Sequence, residues 1–168
     1  MRADQTDRSR LKELRKSLPA SKDDVSAVAG LARMGFPAVQ PLVPDLLKWT
    51  RDGSWPVAKP ITNLLVAIGP ALVGDLNAAL GSRDNRLRTA ALRIAAELPA
   101  SAIGQLSARL FMVATDGQSW GADLLALELL ARHGIGDDTW IEGWLEFKRE
   151  YHEARLADIA GVRRLLKR

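Results

Sequence analysis

Residues 43–99 superimpose on themselves at a shift of thirty, and this repeat limits the possible folds more than any other feature of the chain. Val43 meets Val73, Asp45 meets Asp75 and Leu46 meets Leu76; further on, Val57 meets Leu87, Leu64 meets Ile94 and Ile68 meets Leu98. Gly69-Pro70 and Pro99-Ala100 fall at matching unit ends. A looser third copy runs over 103–134, and Gly35 closes a shorter unit that begins near Ser21. Units of this length with two amphipathic patterns each cannot bury their apolar faces alone, so neighbouring units must stack. The expected fold is all-α, with about three to four stacked antiparallel helix pairs in a solenoid and a C-terminal capping helix.

Local signals divide the units into helices. Ser21 with Asp24 three residues on resembles a capping box, opening a helix whose apolar positions are Val25, Val28, Leu31 and Ala32. Gly35 and Pro37 stop it. Pro41 and Pro44 suit a first helical turn, where a missing N–H costs nothing. Pro56 opens the next helix, with Ile61, Leu64, Leu65 and Ile68 inward. Pro60 is expected at the fifth position of that helix, where it should kink the first turn. Asp84 caps a helix carrying Leu87, Ala91, Ile94 and Leu98. Beyond Gly134, the spacing of Trp140, Ile141, Trp144, Leu145 and Tyr151 predicts a capping helix, followed by a short terminal helix with a basic tail. Residues 1–20 read as a charged N-terminal arm or helix, 21–135 as the helical repeats and 136–168 as the capping helices and tail, all within one domain.

Composition narrows the chemistry. Ala and Leu dominate the apolar 47%, which favours helices because these side chains lose little freedom there. With no cysteine, the chain has no disulfide, thiolate nucleophile or cysteine–zinc site. Residues 1–22 lack the apolar core of a secretory signal, and no run approaches 18 consecutive apolar residues, so the expected location is the cytoplasm. Net charge is +4, from 24 basic and 20 acidic residues, a surplus too small to point to nucleic acid by itself.

One passage, residues 42–58, is distinctive. It holds Leu46-Leu47-Lys48-Trp49, then Asp52, then Trp55-Pro56-Val57-Ala58. The pattern Leu-Leu-x-Trp followed by Asp-x-x-Trp-Pro-Val-Ala resembles an uncharacterised bacterial family of HEAT-like domains. Leu18-Pro19 upstream, and Ile68-Gly69 with Leu72-Val73 downstream, extend the likeness over 18–98. The Ala- and Arg-rich second half departs from it. The resemblance implies a helical-repeat fold and no particular reaction. By analogy with small helical-repeat proteins encoded beside bacterial toxins, it points toward an immunity protein. The residues themselves give the motif a structural reading: Trp55 staples the Asp52 turn onto Trp49, and Pro56 starts the following helix.

No arrangement supports catalysis. The two histidines, His133 and His152, lie on different elements, and His133 beside Gly134 reads as a helix C-cap. No spacing suggests a metal or cofactor, Asp137-Asp138 reads as capping, and the scattered glycines form no phosphate-cradling loop. The charged pattern carries more. Arg83, Arg86, Arg88 and Arg93 cluster in one unit, and aligning the units brings Lys59, Asn63, Arg93 and Glu128 onto successive second helices. Stacked second helices of a solenoid form its concave face. Lys59, Asn63, Arg86, Arg93, Trp120 and Glu128 are therefore the candidate binding residues, and Trp49, Asp52, Trp55 and Pro56 the structural motif. The function expected is non-catalytic protein binding, most concretely neutralisation of a bacterial toxin domain, without a membrane or small-molecule substrate. A nucleic-acid-binding HEAT-like protein and a structural subunit of a larger complex are the alternatives.

Overall fold

The computed structural model describes residues 2–117 and 121–166, the first seven of them as backbone only. Among the described residues the chain is helical throughout, with no strand. Helix α1 (Arg2–Arg15) precedes α2 (Val25–Met34), α3 (Val43–Trp49), α4 (Ala58–Ile68), α5 (Val73–Leu80), α6 (Asn85–Ala95), α7 (Ala100–Ala114), α8 (Ala122–Arg132) and α9 (Asp138–Leu165). Short 3-10 turns at Gln40–Leu42 and Gly69–Leu72 lead into α3 and α5, so the repeat read at a shift of thirty returns as backbone conformation.

Contacts between helices fall into two rows. Helices α3, α5 and α7 touch in succession, and so do α2, α4, α6 and α8. Pairs α3–α4, α5–α6 and α7–α8 tie the rows together. Leu46, Ile61, Leu65, Leu76, Ile94, Leu106 and Leu130 meet between them in one continuous core. Burying side chains of this size stabilises by roughly 1.5–3 kcal/mol each.

An aspartate lies in the connection ahead of each helix in the second row: Asp24 and Asp84 directly before α2 and α6, Asp52 and Asp116 six residues before α4 and α8. Asp24 accepts from the Ala27 N–H at 3.2 Å, and Asp84 accepts from the Arg86 and Leu87 N–H groups at 3.0 and 3.2 Å. Arginines of one unit reach the aspartate of the next. Arg51 donates to Asp84 at 2.9 Å, and Arg88 pairs with Asp116. These bonds tie neighbouring units to one another.

Several local expectations change. The first cap of α2 is Asp24, not Ser21, whose hydroxyl only accepts from the Asp23 N–H at 3.3 Å. An aspartate adjacent to the first helical residue satisfies the free N–H groups directly, so the helix starts one turn later and Val25 and Ala32 lie outside the core. Helix α4 begins at Ala58, which makes Pro60 its third residue rather than its fifth. No intrahelical acceptor waits there, so the expected kink has no cause. The C-terminal segment is one 28-residue helix, α9, rather than two. Asp137 caps it by accepting from the Trp140 N–H at 3.1 Å. Ion pairs Glu146–Arg149, Arg149–Glu153 and Arg155–Asp158 then run along it at helical spacing between Gly143 and Gly161.

The hydropathy expectation also needs one qualification. Ala58–Leu80 is long and apolar enough, at a mean hydropathy of 1.5, to cross a membrane by length and composition. The segment is broken at Gly69, whose φ is +71°, and folds as α4 and α5 with Ile61, Leu65, Leu72 and Leu76 in the core.

The caps and ladder make a pH prediction. Hydrogen bonds from the Ala20 N–H, the Ser26 hydroxyl and the Ala27 N–H hold the Asp24 carboxyl below its usual range. The Lys48 ammonium does the same for Asp45, and the Arg51 guanidinium for Asp84. Their stabilisation is therefore complete above the unfolded-state value near 4 and is lost as pH falls through the lower folded values. Asp75 occupies the Asp45 position of the next unit, where Lys48 is replaced by Ala78, and burial pushes its carboxyl up. It opposes folding at neutral pH. Urea midpoints should hold steady above about pH 5 and fall below about pH 4, and Asp75→Asn should raise the neutral-pH midpoint. A midpoint that rises on acidification would contradict this assignment.

Candidate functional site

The second-row helices turn one side to the core and leave the other to a groove. On α4, Ile61 and Leu65 point inward, while Lys59, Thr62, Asn63, Val66 and Ala67 recur at helical spacing on the opposite side. On α6, Ala90 and Arg93 form the matching stripe, continued by Ala96 and Glu97 in the turn after it, and on α8 Leu125, Glu128, Leu129 and Arg132 do so. Together they enclose a groove of about 670 Å³. Its buried floor is mostly apolar (Ala58, Ala90, Leu92 and Leu129, with Thr50), and its rim is charged.

Four of the six candidate binding residues meet here: Lys59, Asn63, Arg93 and Glu128. Arg86 lies one turn outside, lining a neighbouring hollow with Thr50, Arg51 and Thr89 that shares Arg93 with the groove. Trp120 lies outside the described residues. The arginine cluster read from sequence is divided by the structure. Arg88 turns away to Asp116, and Arg86 sits near enough to Asp52 to help lower its carboxyl. Within the groove, Glu128 is paired with Arg132, whereas Lys59 and Arg93 have no acidic partner among the described residues. The site thus sets Lys59 and Arg93 beside Glu97 on the rim of a mostly apolar floor. Thr62, Glu97 and Arg132 escaped the sequence reading as site residues, although each follows an identified residue by three or four positions, Thr62 and Arg132 on the same helix and Glu97 in the turn after α6.

The motif residues form a different place. Trp49 and Trp55 meet edge to face, with ring centroids 5.7 Å apart, and both pack on the core. Asp52 accepts from the Ser54 N–H at 3.0 Å and its hydroxyl at 2.7 Å, which closes the turn and lowers the Asp52 carboxyl. The Val57 N–H donates to the Lys22 carbonyl at 3.1 Å, tying the corner back to the segment before α2. Pro56 stands in that corner and α4 starts two residues later. Arg15, Lys48 and Arg51 surround the tryptophans, and all three are paired, with Asp45 or Asp84.

The remaining candidates stay apart. His133 occupies the C-cap of α8, donating its N–H to the Leu129 carbonyl at 3.2 Å, while His152 lies exposed on α9 beside Tyr151. Among the described residues no group of three acids or histidines is placed to hold a metal ion. Helix α9 is seated by an aromatic run: Phe111–Trp140 at 4.9 Å, Trp140–Trp144 at 6.1 Å and Trp144–Phe147 at 5.5 Å. Gly136 lets this run close, because its φ of +101° suits glycine and an added Cβ would stand 3.0 Å from the Phe111 ring.

A family model described as a domain of unknown function (DUF5071) matches residues 17–123, which include the tryptophan corner and most of the groove. No curated protein and no solved structure matches the chain.

Proposed function

The chain belongs to the DUF5071 family, and from that premise and the groove across α4, α6 and α8 we propose that it is a non-catalytic module that holds a protein partner. The architecture behind this reading is a HEAT-like solenoid of antiparallel helix pairs, with α9 as its C-terminal cap. The two rows of successive helix contacts support it, and the groove then corresponds to the concave face. The partner is most concretely a bacterial toxin domain, which makes the chain an immunity protein acting from the cytoplasm without a cofactor.

The observation that carries the proposal is a mostly apolar groove floor with Lys59 and Arg93 on its rim, neither of them in an ion pair among the described residues. Alanines on α4 and α6 let a partner's helix or loop approach closely, and a rim of mixed charge offers Lys59 and Arg93 to individual acidic side chains of that partner. A phosphate backbone suits the groove poorly, because Glu97 and Glu128 share its rim. That disfavours the nucleic-acid alternative.

The test is a double reversal, Lys59→Glu with Arg93→Glu, measured against a partner purified with the wild-type chain. Stability should change by less than about 0.5 kcal/mol per site, since both side chains are exposed. Affinity should fall by roughly two orders of magnitude, because an arginine anchor and the charge match are both lost. If the partner is a toxin, wild-type chain should block its activity one to one and the double variant should not. Unchanged affinity would move the binding site off this groove.

A further inference from the structure

A second hollow, of about 210 Å³, lies between the end of α3 and α6 and shares Thr50, Ala90 and Arg93 with the groove. Its lining holds three arginines, Arg51, Arg86 and Arg93, and no acid. Thr50 and Ala90, both buried, form its floor. Arg86, Thr89 and Arg93 recur at steps of three and four on one side of α6, so two guanidinium-bearing side chains flank Thr89. The neighbouring acids are already engaged. Asp84 gives one oxygen to the Arg86 and Leu87 N–H groups and the other to Arg51. Asp52 accepts from Ser54 and stands near Arg86 without an ion pair to it. Glu97 lines the groove beyond Arg93 but not this hollow.

We infer that this hollow binds a single oxyanion, a phosphoryl or carboxylate group, held by Arg86 and Arg93 with the Thr89 hydroxyl between them. A guanidinium presents its N–H donors in a planar fork that matches two oxygens of either group. Thr50 contributes no donor, because its hydroxyl is given to the Leu47 carbonyl at 2.8 Å. Arg51 stays with Asp84 and adds its charge to the same side. A cationic ligand finds no acid in the lining to meet it. A chain of phosphates fits poorly as well, since past Arg93 it runs onto Glu97 and Glu128, so the site suits one anionic group. This rests on the reading of the adjoining groove as a protein-binding face: the oxyanion is one carried by the partner.

Inorganic phosphate and acetate, titrated separately into the full chain at constant ionic strength, test the inference. No partner is needed, so a failure here is separate from a failure of the groove. The expected result is a saturable shift of the Arg86 and Arg93 Nε–Hε signals in nuclear magnetic resonance, at millimolar concentrations of at least one ion. Saturation by phosphate alone assigns a phosphoryl group; saturation by acetate, with or without phosphate, assigns a carboxylate. Arg86→Gln and Arg93→Gln should each weaken binding about tenfold or more. Arg33→Gln, at an exposed arginine of α2, should leave it unchanged. Shifts that stay linear in both ions would overturn the inference, as would an equal loss on Arg33→Gln, because the arginines are then only a solvated face. So would a short oligothymidylate that binds more tightly than phosphate and is released steeply by salt, the behaviour of a phosphate-backbone interface.

Discussion

Replacing Lys148 with alanine is expected to lower the stability of the fold by about 3 kcal/mol, the largest effect of any single polar change in the chain. The Lys148 and Asp123 side chains are 8% and 13% exposed, and their ion pair ties α9 to the first turn of α8. The ammonium also stands 5.7 Å from the centre of the Trp144 ring. Alanine removes the cation from both contacts and leaves the Asp123 carboxylate in a site poor in water. Asp123 keeps a further interaction, which places the expected loss at the lower end of the range for broken buried pairs. For a chain of this length the loss corresponds to a fall of roughly 6–12 °C in the thermal midpoint. Lys148→Met with Asp123→Leu should recover most of it, because an apolar pair of similar volume has no desolvation penalty. If Lys148→Ala keeps the wild-type midpoint, the attraction in this pair only balances the cost of dehydrating it.

Trp55→Ala should be nearly as damaging, at about 2–3 kcal/mol. Its ring is half-buried, below the full burial for which a tryptophan truncation costs most, but it serves two contacts. It covers the core where α3 ends and meets the edge of Trp49 at 5.7 Å. Its backbone also belongs to the turn that Asp52 closes and from which Val57 reaches the Lys22 carbonyl. Urea denaturation should show a lower midpoint with an unchanged slope, and partner binding by the folded variant should remain intact. A variant of wild-type stability that no longer binds would make Trp55 an exposed anchor and relocate the site to the hollow around Arg15, Lys48 and Arg51.

The two sites illustrate what can be read along a chain and what cannot. The tryptophan corner was legible because its parts lie within ten residues, and proline and turn chemistry act locally. Four residues of the groove were reached by aligning repeats, since Lys59, Asn63, Arg93 and Glu128 occupy the same side of equivalent helices. The arginine cluster misled for a tertiary reason. Arg83, Arg86, Arg88 and Arg93 are neighbours in sequence, yet Arg88 is directed to Asp116, 28 positions away. The aspartate ladder left a sequence signal that was not followed, an Asp ahead of each second-row helix at spacings of 28, 32 and 32 residues.

Helical periodicity and the glycine and proline stops determined by themselves that the chain is all-helical, where its units end and which side of each helix is apolar. These properties depend on a few consecutive residues, through hydrogen bonds four apart and the left-handed backbone at Gly35, Gly69 and Gly134. The tertiary structure alone decided which charges pair across units and which stay out of ion pairs among the described residues. Arg51 and Arg88 were drawn to aspartates of the next unit, while Lys59 and Arg93 found none. It also decided that α9 is covered as far as Lys148 and bare beyond it. A helix carries the same apolar stripe along its whole length, and only the reach of the neighbouring helix determines where that stripe is buried.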